Sequence, residues 1–529
     1  MPRTAITQLA KLIGQELESR IGPSEQALAT GPLLAEAGAT TEIVERLFAE
    51  AQRKRPNDRM IQAYAFILEG ALETLRLQAN GGDVSAEHEI AEVHNRVDHA
   101  LGQGDFAPEM LMLLARAFAR AELDPGRSLQ EAMLSAMEAR SDLRPTASTE
   151  EEISDHFVEL DAELDNDPFA IYAELASTAA AFPAGHQASM AGALSGSDNE
   201  AVREAALGFA LSPDPAVSSA ALVAITQQGR AGLVSNRVVD RLVRMRPWLS
   251  ERRRTRIDTA VRALRPKTAS PVPLTRWEIR SVLASLCDGA GAQSLFALTK
   301  RGRRFALASV LIKTEVGVAD AWVHEGMAKA EADALIAQIV AAAEAVEVSI
   351  AFLERRLADA LAINVACDRP PPFGLLQIAE TLGLGPLHPK SISPLAMVEA
   401  LLAELPPERT STAAAQSAHR ASAEWEQKYE TVATWFEAGG AVEDLLRPLR
   451  TRKRQIEAVS TQLLPGRRTF WAERCAWMAA TLKEEAEDGD NSWNEFALVA
   501  RDLAGESFLD GIPLARRIAA ATVEAFEQR

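Results

Sequence analysis

Ser294-Leu-Phe-Ala-Leu-Thr-Lys300 is followed by Arg301-Gly-Arg303 and then by Phe305-Ala-Leu-Ala-Ser-Val-Leu-Ile-Lys313. Elsewhere apolar residues recur at helical spacing, so this stretch decides between an all-α chain and one that carries some sheet. Two short apolar runs around a glycine-centred turn suit a β-hairpin. They suit two buried helices as well, because runs without strict alternation have no clear period and alanine fits either state. The expectation is an all-α, multi-module protein, with a small β-hairpin insert near 294–313 left open.

Outward from that stretch the helical pattern is plain. Ile43, Leu47 and Ala51 line one helix face, Ile90, Val93, Val97 and Leu101 another, and Leu514, Ile518, Ala521 and Val523 a third. Apolar residues make up 47% of the 529 positions, enough for a core, and aromatics only 5%. Alanine-rich, aromatic-poor chains pack helices closely and make poor sheets. Cys287, Cys367 and Cys475 are too far apart for a metal knuckle or redox pair, so no disulfide framework is expected.

Runs of Pro and small polar residues begin at Arg144, Arg265, Asp368 and Leu405. They divide the chain into 1–143, a helical module; 144–267, an acidic segment and helices; and 274–366, a module with the open hairpin. A Pro-containing linker with helices at 367–410 and a Trp-containing module at 411–529 follow. All eight tryptophans lie from Trp248 onward. In Arg467-Arg468-Thr469-Phe470-Trp471 the aromatic pair could stack bases, but the expected role is a core anchor under arginine stems.

Asp198-Asn-Glu-Ala-Val-Arg-Glu-Ala-Ala-Leu207 and Asp214-Pro-Ala-Val-Ser-Ser-Ala-Ala-Leu222 share an Asp, a Val and an Ala-Ala-Leu triplet. The Asp would cap a helix, and Val, the alanines and Leu would form a stripe that lets a neighbouring helix approach closely. The pair resembles HEAT-type helical repeats over about residues 198–264. That resemblance implies a curved stack of helices presenting a surface to a partner, and no catalytic residues.

Charge is laid out in blocks. Pro145 to Val202 holds no Lys or Arg and twelve carboxylates, while Arg203 to Lys313 holds twenty Lys/Arg against seven Asp/Glu, in a chain of net charge −18. Such an inversion suits a surface that meets a charged partner. Arg237, Arg241 and Arg244 share one helix face. Ser250 reads as an N-cap for a helix with the stripe Ile257, Ala260, Val261 and Leu264, which sets Arg252, Arg253 and Arg254 at its positive end, with Arg256 close by. Each cation there costs roughly 0.3–1 kcal/mol, so an anion is expected nearby. The candidate occupants are an acidic protein surface, the chain's own segment 150–174 docked in cis, or nucleic-acid phosphates. Lys300, Arg301, Arg303 and Arg304 would extend the patch if the fold brings them close.

His88, Glu92 and His99 fall on one helix face, opposite Ile90, Val93 and Val97, and form a weak metal-ligand set without zinc-protease spacing. No phosphate-cradling loop or nucleophile elbow is present. A metal-dependent enzyme with a site assembled between modules remains one alternative. The leading expectation is a non-enzymatic, cofactor-free binding or scaffold protein, and the second is a nucleic-acid-binding protein using the same arginines. The N-terminus lacks the apolar core of a signal peptide, and the most apolar run, Ala334 to Leu353, is interrupted by Gln338, Glu344 and Glu347. A cytoplasmic protein without membrane contact is therefore expected.

Overall fold

The computed structural model describes residues 3–16, 34, 38–80, 84–121, 123–142, 164, 166–264, 277–485, 492–505 and 509–527. They form two compact units, Met1–Phe209 and Ala210–Arg529. The boundary falls inside the segment 144–267 and not at a proline-rich run. Among the described residues no helix is long and apolar enough to cross a membrane.

The first unit is helical: α1 (Arg3–Glu16), α2 (Ala39–Ala51), α3 (Asp58–Asn80), α4 (Val84–Leu101), α5 (Pro108–Arg120), α6 (Arg127–Asp142), α7 (Pro168–Ala179), α8 (Ala184–Ser195) and α9 (Glu200–Ala205). Apolar residues three and four apart meet in one core, where Ile43, Leu47, Leu68, Val93, Leu114 and Phe118 are wholly buried.

The second unit opens with α10 (Pro215–Ala231), α11 (Asn236–Met245) and α12 (Glu251–Leu264). The two Ala-Ala-Leu copies lie on opposite sides of the unit boundary and fold differently. Asp214 caps α10 as expected, accepting from the backbone N–H of Ala216 and Val217. In the other copy the cap is Asn199 and not Asp198, and α9 ends after six residues in a 3-10 turn through Leu211. The pair therefore builds no equal repeat.

The stretch 294–313 is a hairpin, and it lies at the centre of a sheet, so the chain is not all-α. Strands β1 (Glu278–Ala284), β2 (Ala292–Arg301), β3 (Arg304–Lys313), β4 (Gly317–Met327) and β5 (Val346–Glu347) pair antiparallel in the order β4-β3-β2-β1-β5. The hairpin turns at Gly302 with φ 62°, a conformation that glycine adopts without strain. Phe305 through Val310 is buried on both faces, which is why the sequence showed no alternation.

Helix α13 (Lys329–Ala343) covers one face, seating Ala332, Leu335, Ile336 and Ile339 against Leu298, Phe305, Leu307 and Met327. Helices α14 (Ile350–Ala366) and α15 (Gly374–Thr381) pack on the edge strand β4. There the buried Asn364 accepts from Val318 N–H and donates to the carbonyls of Val316 and Val318, satisfying backbone that an edge strand would leave open. The expected linker from Asp368 to Gly374 is packed here and not extended. Pro371 and Phe373 are buried, and a Cβ on Gly374 would lie 1.9 Å from the Ala321 carbonyl oxygen.

The chain then forms α16 (Pro394–Ala403), α17 (Thr412–Ala421), several short turns, α18 (Arg468–Glu485), α19 (Ser492–Ala504) and α20 (Pro513–Glu527). Trp425 and Trp435 pack on Phe496 and Trp471 on Trp435, all three wholly buried, the core role expected of Trp471, whereas Trp322 on β4 is exposed.

Because the contact at Gly374 is with backbone, Gly374→Ala should destabilise the protein by about 1–3 kcal/mol. Urea unfolding reads this directly, and an unchanged midpoint would show that α15 does not press on β4 as described.

Candidate functional site

Helix α11 turns Val238, Val239, Leu242 and Met245 inward, and Arg241 goes with them. Arg241 is 3% exposed. Its Nε and Nη2 donate to the two carboxylate oxygens of Glu380 on α15, each at 2.8 Å. Arg244 donates to the Leu384 carbonyl, and the Trp248 indole to that of Leu387. Two of the three arginines expected to share a partner-facing surface thus hold α11 and the following turn onto α15. Arg237 stays exposed.

Helix α12 buries Ile257, Ala260, Val261 and Leu264, as its spacing predicted. Ser250 precedes it, but its hydroxyl donates to Asp368 at 2.6 Å. Arg253 is buried, and its Nε donates to the same carboxylate oxygen at 2.9 Å while Nη1 and Nη2 donate to the carbonyls of Ser212 and Pro213. The carboxylate beside Arg253 is this chain's own Asp368, which was not among the expected occupants. The Ser250 hydroxyl, with Arg253 behind it, holds that carboxyl below the usual aspartate range. Asp368 adopts φ 51°, an uncommon conformation for a residue with a side chain. Arg254 donates to the Pro247 carbonyl, Arg256 to that of Pro215, and Arg252 is exposed.

The hairpin connects to this region. Arg301 lies over the ring of Trp277 at 4.5 Å, the Trp277 N–H donates to the Thr381 carbonyl, and the neighbouring Glu380 holds Arg241. Arg303 and Arg304 are exposed and Lys300 partly so.

The metal-ligand set does not assemble. Glu92 accepts from Arg96 at 2.7 Å, which lowers its pKa, and His99 hydrogen-bonds Gln103. Among the described residues no group of three or more His, Cys, Asp or Glu is placed to hold a metal ion. Helical spacing put these residues on one face, but an arginine one turn along claims the carboxylate. Of the acidic segment 150–174, residues 150–163 and Asp165 lie outside the described residues. Glu174 forms a bidentate pair with Arg116.

Sequence reading missed a buried polar cluster. Arg356 on α14 donates from Nε to Gln293 and from Nη1 to Asp359, and lies 4.1 Å from the Trp477 ring. Gln293 in turn donates to Thr481 and to the Ser285 carbonyl. Arg474 on α18 donates to the carbonyls of Gly289 and Phe470. Burial pushes the carboxyls of Asp288, Asp359 and Glu473 up and both guanidiniums down, against their mutual attraction. Burial also pushes the Cys287 thiol up to about 11, which makes it an inert core sulfur. These groups ties β2, α14 and α18 together; no local motif marks them, because their partners come from distant positions.

Removing one member of the Arg241–Glu380 pair leaves a buried charge uncompensated. Arg241→Ala should cost about 3–5 kcal/mol, and Arg241→Met/Glu380→Met should recover most of it; equal losses in the single and double variants by urea unfolding would contradict this. The Asp368 contact is present above the ordinary aspartate value of 3.8 and weakens as pH falls through its lowered value. Asp368→Asn should therefore flatten the acid limb of the stability–pH curve, while a curve that keeps its slope would count against the contact.

Three stretches of the chain match family models that share one name. Residues 22–126 match the uncharacterised protein y4lR N-terminal domain, 183–268 the Y4lR second domain and 395–527 the Y4lR C-terminal helical domain. The sheet lies between the second and third stretches. The uncharacterized protein y4lR of Sinorhizobium fredii is 27% identical over 250 residues, a match that covers 47% of this chain and 47% of that protein. The chain thus matches about half the length of this curated relative. No solved structure matches. The chain is similar to y4lR along these segments, and the similarity names no activity.

Proposed function

We propose that this is a non-enzymatic binding or scaffold protein whose second unit captures an acidic partner on an arginine-bearing helical surface. The observation that supports the reading is a division of labour among the arginines of α11 and α12. Arg241 and Arg253 are buried and held by carboxylates of this chain. Arg237 and Arg252 are exposed on the same helices, with Arg254 and Arg256 half-buried beside them. The buried pair fixes the helices, so the outer cations stand on a rigid base and an incoming anion orders little chain on binding. In this reading α10, α11 and α12 serve as a short HEAT-like stack that gives the surface its shape.

The test is anisotropy of a labelled octaglutamate peptide with the purified full-length protein, across a salt series. Binding should weaken with salt and fall severalfold in Arg237→Ala/Arg252→Ala/Arg256→Ala. Equal binding by this variant would remove the helical surface from the account. Tight nucleic-acid binding with a steep salt dependence would replace the acidic partner with a phosphate backbone.

A further inference from the structure

We infer that the tip of the β2–β3 hairpin is a docking point for a short acidic peptide segment of the partner. The inference rests on the binding reading above and names a second contact for it. Lys300, Arg301, Arg303 and Arg304 fall within five positions, closed by the turn at Gly302. Arg301 and Arg304 stand directly opposite each other across the hairpin. Like charges in that relation destabilise a strand pair.

None of the four cations forms an ion pair with a carboxylate among the described residues. Arg301 stacks on Trp277, Arg304 donates to the Gly326 carbonyl at 2.7 Å, and Lys300 lies 5.8 Å from the Phe305 ring. Arg303 is exposed. Elsewhere in this unit Arg241, Arg246, Arg253, Arg356 and Arg467 each hold a carboxylate of the chain. A chain of net charge −18 has carboxylates to spare, yet among the described residues the three arginines of the tip close no ion pair, and Glu278, opposite Lys300, pairs with Arg280 instead. A locally unfavourable arrangement that is kept, on a turn braced by Trp277, fits a site whose counter-charge arrives from outside.

The surroundings select the partner. Glu278 is registered opposite Lys300, Glu325 adjoins the Gly326 carbonyl that Arg304 holds, and Glu331 lies in the first turn of α13 just beyond β4. All three are exposed. A nucleic-acid duplex is stiff and carries a charge about every 1.7 Å along its axis, so laid across the tip it would press phosphates onto these carboxylates. A short flexible segment with a few carboxylates can fill the cationic footprint alone. Arginine forks hold carboxylates in bidentate geometry, which favours three arginines over lysines at such a point.

The experiment uses the full-length chain, labelled octaglutamate and a labelled DNA duplex at low salt. It compares wild type, Lys300→Gln/Arg303→Glu, and the α11–α12 triple alanine variant. Among the described residues Arg303 makes no hydrogen bond or ion pair, and thermal unfolding checks that each variant remains folded. The expected result is that the tip variant binds octaglutamate about fivefold or more weakly, with wild type preferring the peptide to the duplex. Peptide affinity unchanged in the tip variant but lost in the helical variant would overturn this inference and keep the reading of the helical surface. Loss in the tip variant alone would keep the inference and overturn the helical surface. Peptide binding that neither variant lowers, or no binding by wild type, would overturn both. A duplex bound more tightly than the peptide, through the tip, would overturn the partner class.

Discussion

Strand β3 is apolar on both faces, and a strand of that kind survives only if both faces are kept from water. Each of its fully buried Leu, Val or Ile side chains contributes about 1.5–3 kcal/mol when desolvated. One face is covered by α13 through Leu335, Ile336 and Ile339. The fold must also close the open edge at β4, where Asn364 and the first turn of α15 take up backbone groups and space. The position of α15 then dictates where α11 can sit, because Glu380 at its end is the carboxylate that Arg241 needs.

The arginines of this unit do two kinds of work, and burial separates them. A guanidinium can be taken out of water when its donors are matched, and Arg253 does so with one carboxylate and two carbonyl groups. Arg356 does the same with Gln293 and Asp359, over the face of Trp477. These side chains act as fasteners between elements. The excess of positive charge from Arg203 to Lys313 is therefore partly internal to the fold. The arginines of the hairpin tip are the contrasting case, exposed at the end of a strand pair and, among the described residues, without an ion pair to a carboxylate.

The helices, their buried stripes and the capping of α10 by Asp214 were legible in the chain, because they depend on residues within one or two turns of each other. The hairpin was half legible: its turn is marked by Gly302, but a doubly buried strand loses the alternation that distinguishes it from a helix. The run from Asp368 to Gly374 read as a linker because proline breaks helices. Only the packed structure shows Pro371 and Phe373 buried there and Asp368 holding Ser250 and Arg253. Equally, the carboxylate that Arg253 holds lies 115 positions away, beyond the reach of any local pattern.

The sequence by itself determined a chain rich in short amphipathic helices, an aromatic-poor composition with no tryptophan before Trp248, and a block of cations centred on α11, α12 and the hairpin. Those are consequences of local spacing and composition. Tertiary structure alone decided that the hairpin is the middle of a five-stranded sheet, that Arg241 and Arg253 face inward, and that Arg237, Arg252 and Arg303 face water. The reason is that charge and periodicity are properties of the chain, whereas burial and pairing depend on which distant residue arrives opposite. Glu380 and Asp368 arrive opposite two arginines, whereas among the described residues no carboxylate closes an ion pair with the cations of the tip.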